Sequence, residues 1–562
     1  MGGTIRKQML QIPDANKHLV AFEEGVYISF PGVAKTKDGL VCSYLRSDSH
    51  KKKTTDIMIA RSEDGGLTWT DHQVIAHADV YEQGCIYVVP RINALSNGRL
   101  VMICDKGQRT PNGKFYKLST WVLNKEMVNE LFWSLDNGIT WDGPYEIDNV
   151  GGEPEYIQEL SNGTLMFTRT EVAYTDERAA INQAVYNDLE DKEKYETMTG
   201  MKVYYQSVAV FSEDSGVTWS RTAYLANNPL YSDAEAGFTE ISPGNLLAVT
   251  RCCDCVGRYG QPSRMLRSRD YGATWDHGVL APFYGHRPTI GMLHSGKALA
   301  VFRNRPGTNA TYAFVFDPHE TFEYEPNSFI WDEADCTLEQ DSLTIRTYEG
   351  REHAVQFILY PAQHDTSRVE IETELRLEEA DENGCCISAG CRIRFMPGRI
   401  CLADRPETGF DCRTDRWHRY RIIREGEELT IHVDGELKLQ ASTRGISTRA
   451  IHFGNAHFEP HLTGNESISH WRSFSLQVDN PDDYSIRWHW NAAQGYPDQF
   501  RRDRFVKLDH CFSTFGGDNG YAQWTQLEDD SIVILDYTRP SPSDMYPYIR
   551  SYVIHENQLV NE

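Results

Sequence analysis

An eight-residue motif occurs four times in this chain. Its copies follow the pattern Ser-x-Asp-x-Gly-x-Thr-Trp and occupy residues 62–69, 134–141, 212–219 and 268–275. Asp and Gly two positions apart suit a tight turn, because Asp accepts hydrogen bonds from nearby backbone N–H groups and Gly tolerates a positive φ. The closing Thr-Trp pair is typical of the start of a strand, with the indole packed beneath the turn. Four copies in one chain indicate a repeated β-structure.

A weaker repeat predicts β-hairpins: an apolar run, a tight turn of Asn, Asp or Gly, and a second apolar run. Six segments fit it, at residues 36–41, 95–100, 160–165, 241–246, 293–298 and 527–532. Six hairpins, four of them followed by the eight-residue motif, predict an all-β fold, a six-bladed β-propeller. We expect the blades to begin near residues 27, 85, 153, 235, 285 and 518. Residues 18–22 would then supply the strand that closes the ring.

The hairpin spacing breaks once, between the fifth and the sixth, where the gap is far longer than one blade. Residues 328–478 in this gap contain many short alternating segments, such as 369–375 and 429–435. Together with the segment 417–423, this rhythm resembles the laminin-G or concanavalin-like β-sandwich. A propeller tolerates such an insertion because its blades are nearly independent units.

The hairpin repeat and the insertion together divide the chain into three predicted segments. Residues 1–327 would form blades one to four and the first part of blade five, and residues 328–478 the inserted β-sandwich. Residues 479–562 would complete blade five, form blade six and close the propeller. We expect residues 484–490 to resume the outer part of blade five.

Composition excludes several classes of function. The formal charge of −25 argues against nonspecific binding to nucleic acid or to an anionic membrane surface. Thirteen Cys without regular spacing do not predict a disulfide framework. The cluster Cys252-Cys253-Asp254-Cys255 lacks the paired spacing of a zinc site, so we expect neither a metal nor a cofactor. No segment has the pattern of a signal peptide or a membrane span, which predicts a cytoplasmic protein, or a secreted one if a signal peptide has been removed.

The four-copy motif resembles the Asp-box, or BNR repeat, of the sialidase (neuraminidase) superfamily. In that superfamily the box caps outer hairpins of a six-bladed propeller, far from the active site. The resemblance therefore implies a fold but assigns no chemistry to the motif itself. It covers about residues 20–320 and 480–555.

The hairpin register predicts which residues share one end of the propeller axis. Residues about nine before each hairpin turn and about seven after it should lie at that end. The selected residues are rich in Arg, carboxylates and Tyr: Ser29, Tyr87, Glu153, Glu155, Glu235, His286, Arg287, Tyr521, Arg46, Asp105, Arg169, Thr170, Arg251, Arg303 and Tyr537. This set predicts a basic pocket lined by Tyr and Glu, suited to an anionic or polyhydroxylated ligand.

The resemblance assigns roles to some of these residues. It implies that Tyr521 is a nucleophile, that Glu235 polarises it, and that Arg251 binds a substrate carboxylate. Asp48 lies where the family places its acid/base residue. A Tyr activated by Glu suits a sugar that carries its own carboxylate at the reacting carbon, because an anionic nucleophile would be repelled. The remaining substrate-binding candidates are Arg46, Arg287, Arg303 and His50.

Two positions depart from the family pattern. Ser29 stands where the family has the first Arg of its carboxylate-binding triad, and Arg46, Arg287 and Arg303 are candidate substitutes. Asp536-Tyr537 occupies the stretch in which the family has a supporting Glu. Both departures bear on whether the sugar is sialic acid.

Structural explanations compete with these assignments. Glu235 could be a solvated carboxylate at a blade edge, Tyr521 a packed aromatic and Arg251 one partner of a structural ion pair. His50 competes with Asp48 for the proton-transfer role. Residues 51–53, three consecutive Lys, are expected to form a solvated loop that adds positive potential at the pocket mouth.

The sequence thus predicts an exo-acting glycoside hydrolase that removes a terminal sialic acid, or a related acidic or deoxy sugar, from a glycan with retention of configuration. One alternative is a polysaccharide lyase acting on a uronic acid, with His50 or His286 and Tyr521 as base and acid. Another is a carbohydrate-binding propeller without catalysis. The inserted segment is expected to position a glycan or guard the pocket. The oligomeric state stays open.

Overall fold

The computed structural model describes residues 5–50, 52–108, 127–174, 203–228, 231–252, 262–305, 308–330, 332–348, 354–359, 367–446, 451–455, 466–480, 485–512 and 519–560. Almost all of its regular structure is β-strand. The strands before the inserted segment are β1 (Leu10–Gln11), β2 (Lys17–Ala21), β3 (Tyr27–Thr36), β4 (Gly39–Ser47), β5 (Thr54–Ser62), β6 (Thr70–Asp79), β7 (Cys85–Tyr87), β8 (Arg91–Ala94), β9 (Leu100–Gln108), β10 (Met127–Ser134), β11 (Asp142–Glu146), β12 (Gln158–Glu159), β13 (Leu165–Tyr174), β14 (Val203–Ser212), β15 (Arg221–Ala226), β16 (Asp233–Ser242), β17 (Asn245–Cys252), β18 (Arg264–Ser268), β19 (Val279–Leu280), β20 (Gly285–Met292), β21 (Ala298–Asn304) and β22 (Ala310–Phe316).

Strands of a second region follow, and the last four strands return to the propeller. The second region contains β23 (Asn327–Ile330), β24 (Cys336–Leu338), β25 (Leu343–Thr347), β26 (Val355–Leu359), β27 (Arg368–Ala380), β28 (Cys385–Ala389), β29 (Arg392–Met396), β30 (Arg399–Leu402), β31 (Arg405–Asp411), β32 (His418–Glu425), β33 (Glu428–Val433), β34 (Glu436–Ser442), β35 (Ile451–Gly454), β36 (Ser467–Asp479) and β37 (Ile486–Asn491). After them come the helix α1 (Gln499–Arg504) and the strands β38 (Phe505–His510), β39 (Gly520–Gln526), β40 (Ile532–Thr538) and β41 (Tyr548–Ile554). Single 3-10 turns lie at Asp14–Asn16, Glu333–Asp335, Ala492–Gln494 and Glu556–Gln558.

Six antiparallel sheets form the blades of a β-propeller, which confirms the predicted fold class. In chain order the blades are β3–β6, β7–β11, β12–β15, β16–β19, β20–β22 with β38, and β39–β41 with β2. In each blade the predicted hairpin joins the innermost strand to the second strand. The ring closes as predicted, since Lys17 of β2 pairs with Tyr552 of β41. Strand β1 was not predicted; it adds two residues in parallel to β38 at the edge of blade five.

The prediction that residues 484–490 resume blade five was wrong. Strand β37 pairs with β36, where Ile486 lies opposite Val478 and Trp490 opposite Phe474. The fourth strand of blade five is β38 instead, and Ala313 of β22 lies opposite Val506. An alternating segment fits either sheet equally well, so its sequence pattern did not distinguish the two partners.

Residues 327–491, here called the inserted region, interrupt blade five between β22 and β38. Their strands form one sheet of seven and another of eight. Strand β27 alternates buried and half-buried residues along most of its length, as expected for a strand with one face on a core. A single apolar cluster takes residues from both sheets, among them Phe357 and Phe453 from one and Ile371 and Trp471 from the other. Its likeness to a laminin-G or concanavalin-like domain and its precise limits stay predictions.

The eight-residue motif forms the turn that the sequence predicted. In the third copy Asp214 accepts hydrogen bonds from the Thr218 N–H and hydroxyl at 2.8 and 2.6 Å. The Trp219 indole donates to the Gly216 carbonyl at 3.1 Å and so lies beneath the turn. The next strand begins only after the Trp, at Arg221. Each copy also touches the preceding blade: a Cβ on Gly216 would lie 2.8 Å from the Trp133 ring of blade two.

No helix in the parts of the chain that the structure describes has both the length and the apolar composition needed to cross a membrane.

Candidate functional site

A shared backbone irregularity builds the candidate site at the end of the propeller opposite the Asp-boxes. In blade four Ala234 pairs with Arg251 and Gly237 with Val249, so the two residues between them on β16 oppose one residue on β17. The extra residue is Glu235, whose φ is +42°. Such a bulge re-aims a side chain, and a non-glycine residue at positive φ persists only where its surroundings hold it there. The innermost segments of four other blades have the same two-to-one count, with positive φ at Phe30, Glu153, Arg287 and Tyr521.

Three of the predicted catalytic and binding residues meet directly. The Tyr521 hydroxyl donates a hydrogen bond to Glu235 Oε1 at 2.9 Å. The Arg251 guanidinium donates to the same oxygen at 2.8 Å. Tyr521 and Glu235 are buried, whereas Arg251 keeps part of its side chain exposed. The arrangement joins blades four and six, which are far apart in sequence, across the propeller axis.

The protonation state of Tyr521 follows from its surroundings. Burial, and after it the negative charges of Glu235 and Glu153, raises the pKa of the Tyr521 phenol well above its usual value. The phenol is therefore neutral near pH 7, and Glu235 is placed to accept its proton. This is the protonation state that a nucleophile activated by a general base requires before it reacts.

Arg287 lies beside the Tyr521–Glu235 pair, and its guanidinium group is held by contacts with blade three. Its guanidinium carbon is 5.2 Å from the centre of the Tyr521 ring, and its Nη1 donates to the Glu153 carbonyl at 2.7 Å. Its Nε is 3.3 Å from Glu155 Oε2. Glu155 is also the ion-pair partner of Arg91, and all three charged side chains are at most 1% exposed. Arg287 thus belongs to a buried Arg91–Glu155–Arg287 group on the axis, and its guanidinium group faces the Tyr521 ring.

Arg91 is an important residue that the sequence reasoning missed. It donates to the Tyr521 carbonyl at 2.9 Å and to the Pro31 carbonyl at 3.2 Å, so it ties the innermost strands of blades six and one together. Arg91 lies two residues past the positions that the hairpin register selects, so the register did not include it. The signal was a single Arg within the apolar stretch 86–92, since such a residue in a strand facing the axis needs a buried partner.

Blade one contributes an aromatic and a basic side chain beside Tyr521. The Phe30 ring packs edge-on against Tyr521, with centres 4.8 Å apart. The Lys52 ammonium lies 4.3 Å from the centre of the Phe30 ring, and Lys52 is 4% exposed. The expectation that this Lys is solvated was wrong. Its neighbour Lys53 is exposed, as predicted, and residue 51 lies outside the described residues.

Asp48 and Arg46 have contacts other than those predicted for them. Asp48 is exposed, and its Oδ1 accepts the backbone N–H of Lys53 at 2.7 Å. Arg46 forms an ion pair with Asp56 on the neighbouring strand at 2.7 Å. Each of these contacts organises the blade-one strands and their connecting loop. The roles of Asp48 as acid/base residue and of Arg46 as substrate ligand stay predictions.

Arg303 lies next to Tyr521 through Gly520, whereas the His50 side chain contacts Tyr27. The His50 Nδ1 is hydrogen-bonded to the Tyr27 hydroxyl at 2.8 Å, at the start of β3. Arg303 packs against Gly520, where a Cβ would lie 2.6 Å from the Arg303 Cβ, and its Nη2 is 3.0 Å from His286 Nδ1. Gly at position 520 is therefore required by the close approach of Arg303.

Two buried carboxyl groups complete this end of the propeller. The Asp105 carboxylate accepts the Glu153 backbone N–H, and burial raises the pKa of Asp105 well above its usual range. Asp536 accepts the Gly520 N–H at 2.8 Å, immediately before Tyr521, and burial raises the pKa of Asp536 in the same way. Both groups are therefore favoured in their neutral form and fix the backbone beside a strained residue.

The thiol cluster at 252–255 lies almost entirely outside the described residues. Within the described ranges, no group of three or more His, Cys, Asp and Glu side chains is arranged to hold a metal ion.

Comparisons with known proteins agree with the propeller. Residues 38–311 match the family model of the BNR repeat-like domain. No curated protein sequence matches the chain. The part of the propeller within residues 38–311 is thus similar to a BNR repeat-like domain, which agrees with the resemblance drawn from the Asp-box motif.

Solved structures with a similar fold include several sialidases. A protein of unknown function from Dyadobacter fermentans is 16% identical, with a TM-score of 0.43, over 62% of this chain and 94% of its own. The Hadza microbial sialidase Hz136 is 18% identical, with a TM-score of 0.39, over 57% of this chain and 63% of its own. Trypanosoma rangeli sialidase in complex with sialic acid is 10% identical, with a TM-score of 0.35, over 87% of this chain and 96% of its own. With every TM-score below 0.5, these similarities say nothing about the activity of this chain.

Proposed function

We propose that this protein is a retaining glycoside hydrolase that removes a terminal sialic acid, or a related acidic or deoxy sugar, from a glycan. One observation carries the proposal: the Tyr521 hydroxyl donates to Glu235 at 2.9 Å while Arg251 holds the same carboxylate oxygen at 2.8 Å. A neutral nucleophile, its base and a cation for the substrate thus share one site. The arrangement is more specific than a packed aromatic or a lone ion pair.

In the first step the Tyr521 oxygen attacks the anomeric carbon as the phenolic proton passes to Glu235. The bond to the leaving oxygen breaks, and that oxygen takes up a proton from an acid. In the second step water attacks the anomeric carbon and gives a proton to the conjugate base of that acid, the bond to Tyr521 breaks as Glu235 returns the phenolic proton, and the sugar retains its configuration. The raised pKa of Tyr521 keeps the nucleophile neutral until it reacts, which avoids repulsion from an acidic substrate.

Asp48 is the proposed proton donor to the leaving oxygen. Its exposed position at the first turn of the blade-one loop leaves it open to solvent, and its hydrogen bond from the Lys53 N–H fixes the carboxylate. This role requires the substrate to reach across Phe30 to the loop. Asp48→Asn should therefore slow substrates with poor leaving groups much more than aryl glycosides with good ones.

Turnover on a panel of aryl glycosides tests the proposal. The panel contains sialic acid, other ulosonic acids, uronic acids and neutral deoxy sugars, and each substrate is given to the parent protein and to Tyr521→Phe. We expect release from an acidic sugar and a loss of several orders of magnitude in kcat for the variant. Tyr44→Phe is the matched control, because this buried Tyr of blade one is hydrogen-bonded to His72 and not to the site.

Three outcomes would reject the proposal. Near-normal turnover by Tyr521→Phe would exclude this nucleophile. An unsaturated, ultraviolet-absorbing product would indicate a lyase, since hydrolysis gives none. Glycan binding without release across the whole panel would indicate a carbohydrate-binding propeller. Proton NMR of the first-formed anomer checks retention separately.

A further inference from the structure

The inserted region carries a groove on the outer face of its eight-stranded sheet, here called the sheet groove. Its volume is about 400 Å³, and its lining residues come from β27, β36 and the edge strand β37. The strand register places the polar residues of the groove in two rows across the sheet: Glu370, Gln477 and Arg487 in one, and Glu372, Ser475 and His489 in the other. Because residues of a strand alternate between its faces, all six share the face that turns away from the apolar cluster.

The two carboxylates of the sheet groove are fixed by guanidinium groups of the same sheet. Glu370 accepts hydrogen bonds from Arg368 at 2.5 Å and from Arg421 at 2.6 Å, and Glu372 forms an ion pair with Arg419. Each carboxylate oxygen accepts two hydrogen bonds, so both groups keep acceptor capacity for a ligand. The guanidinium charges balance those of the carboxylates, and the sheet groove therefore suits a ligand that is polar but uncharged.

Donors and an aromatic residue complete the sheet groove. The Ser475 hydroxyl is hydrogen-bonded to His489 Nδ1 at 2.7 Å, and His489 itself is exposed. Trp488 is half-buried beside it on the edge strand, and its indole N–H has no hydrogen-bond partner among the residues that the structure describes. An aromatic residue among fixed donors and acceptors suits a sugar, since a sugar ring has apolar C–H faces and a rim of hydroxyl groups.

The inserted region is tied to blade five at the end of the propeller that holds the candidate site. Thr308, in the connection that follows Arg303 and β21, donates its N–H to the Ser328 carbonyl at 3.1 Å. The Ser328 hydroxyl donates to Asp498 at 2.7 Å and accepts from Arg501 at 3.0 Å. Asp498 and Arg501 are each 1% exposed. Strand β37 of the sheet groove leads directly into this buried contact, so the groove and the propeller are joined by fixed side chains.

We propose that the sheet groove is a second carbohydrate site, which binds a neutral, polyhydroxylated stretch of a glycan. Its balanced charges distinguish it from the axis of the propeller, where Arg251 and Arg287 favour an acidic group. Binding at the sheet groove does not depend on the proposed function. Its use in holding a substrate glycan while the acidic sugar lies at Tyr521 rests on that function.

Calorimetry of the full chain with neutral tetrasaccharides of glucose, xylose, mannose or N-acetylglucosamine tests the inference. We expect at least one of them to bind the parent protein. Gln477→Arg places a long side chain in the sheet groove and should weaken that binding by about tenfold or more. Ser473→Arg is the matched control, because it adds the same side chain to the same face of β36 outside the groove lining, and it should leave the affinity unchanged. His489→Ala, at an exposed edge position, should also weaken binding.

Several results would overturn the inference. These are no binding of any tetrasaccharide by the parent protein, an equal loss in Gln477→Arg and Ser473→Arg, or an affinity that neither Gln477→Arg nor His489→Ala changes. Binding of tetragalacturonate that Gln477→Arg weakens as strongly would contradict a neutral ligand. The proposed function is judged separately, by release from acidic aryl glycosides, which Gln477→Arg should leave unchanged because these substrates are too small to occupy both sites. Tetrasaccharide binding by a protein that releases no aryl group would reject that function and leave the sheet groove standing.

Discussion

The two ends of the propeller repeat themselves in different ways. At the Asp-box end, four turns repeat both backbone and side chains, down to the indole that donates to the turn Gly at 3.0 to 3.2 Å. At the opposite end, five blades repeat a backbone bulge at positive φ but place a different side chain on it almost every time. The Asp-box turns thus repeat the same residues and the same contacts four times. The bulges repeat only the backbone conformation and bring different side chains together.

Under the proposed function, this difference has a simple explanation. A turn that joins neighbouring blades has the same task in each blade, so its residues stay the same. The five bulges lie at one end of the propeller, and the proposed nucleophile, base and cation could act together there only because their side chains differ. The pKa values of carboxyl groups also differ between the two ends. The hydrogen bonds of Thr218, from its hydroxyl and then its N–H, lower the pKa of Asp214 to about 2, whereas burial raises that of Asp105.

Strand β16 reaches from one end to the other and allows the sharpest comparison. Glu235 lies at the bulge, and Glu240 lies near the hairpin turn, where it accepts the Ser161 N–H at 2.7 Å. Glu235→Gln removes the proposed base while it keeps a similar shape. We expect kcat on the acidic aryl glycoside to fall by up to about ten thousandfold, with little change in melting temperature.

Glu240→Gln should do the reverse: it should lower the melting temperature slightly, by weakening the contact between blades three and four, and leave kcat unchanged. A similar fall in kcat for both variants would mean that the loss reflects damage to the strand rather than removal of a base.

The next largest effect concerns the buried Arg91–Glu155–Arg287 group. Glu155→Gln leaves two buried guanidinium groups without their shared carboxylate, and removing one partner from a buried ion pair costs about 3 to 5 kcal/mol. We expect that loss in the free energy of unfolding, measured in urea. Glu159→Gln, in the exposed hairpin of the same blade, changes a contact with Ser96 and should cost less than about 1 kcal/mol. Equal costs would show that the axis is no more sensitive than the rim.

The sequence predicted the repeated structures much better than the structures that occur once. The Asp-boxes, the six hairpins and the closing strand were predicted because each has a local pattern of turn residues and apolar runs. Register alone selected Glu235, Arg251, Arg287 and Tyr521, since strand length fixes which end of the axis a residue occupies. The partner of β37 and the inward turn of Lys52 were missed, because each depends on contacts between segments distant in sequence. Arg91 was missed because it lies two residues past the positions that the hairpin register selects.

Gly216, at the third Asp-box turn, is constrained both by its positive φ and by its packing, whereas Gly163 is constrained by its positive φ alone. Gly216 has φ +90°, and a Cβ there would lie 2.8 Å from the Trp133 ring; Gly163 has φ +84° and no atom within 4 Å. Gly163→Ala should cost only the left-handed backbone term, about 1 kcal/mol. Gly216→Ala should cost about 1 to 2 kcal/mol more, because Trp133 must move. Urea unfolding of both variants measures this difference, and equal values would remove the packing of the turn on the neighbouring blade as a source of stability.

The smallest effect is a difference between the two ends in how the free energy of unfolding depends on pH. Asp105 has a raised pKa, so above the unfolded-state pKa of about 4 the folded protein binds one more proton than the unfolded chain, and stability falls as the pH rises. The slope from this group is about 1.4 kcal/mol per pH unit until the pH reaches the folded pKa. Asp105→Asn should remove that slope from the unfolded-state pKa upward. Asp214 has the opposite sign: its stabilising contribution is complete above about pH 4 and is lost only as the pH falls toward 2, so Asp214→Asn should leave the slope between pH 5 and pH 7 unchanged. Parallel curves for the parent protein and Asp105→Asn would show that Asp105 is ionised in the folded protein, and the neutral carboxyl assigned to this end of the axis would be incorrect.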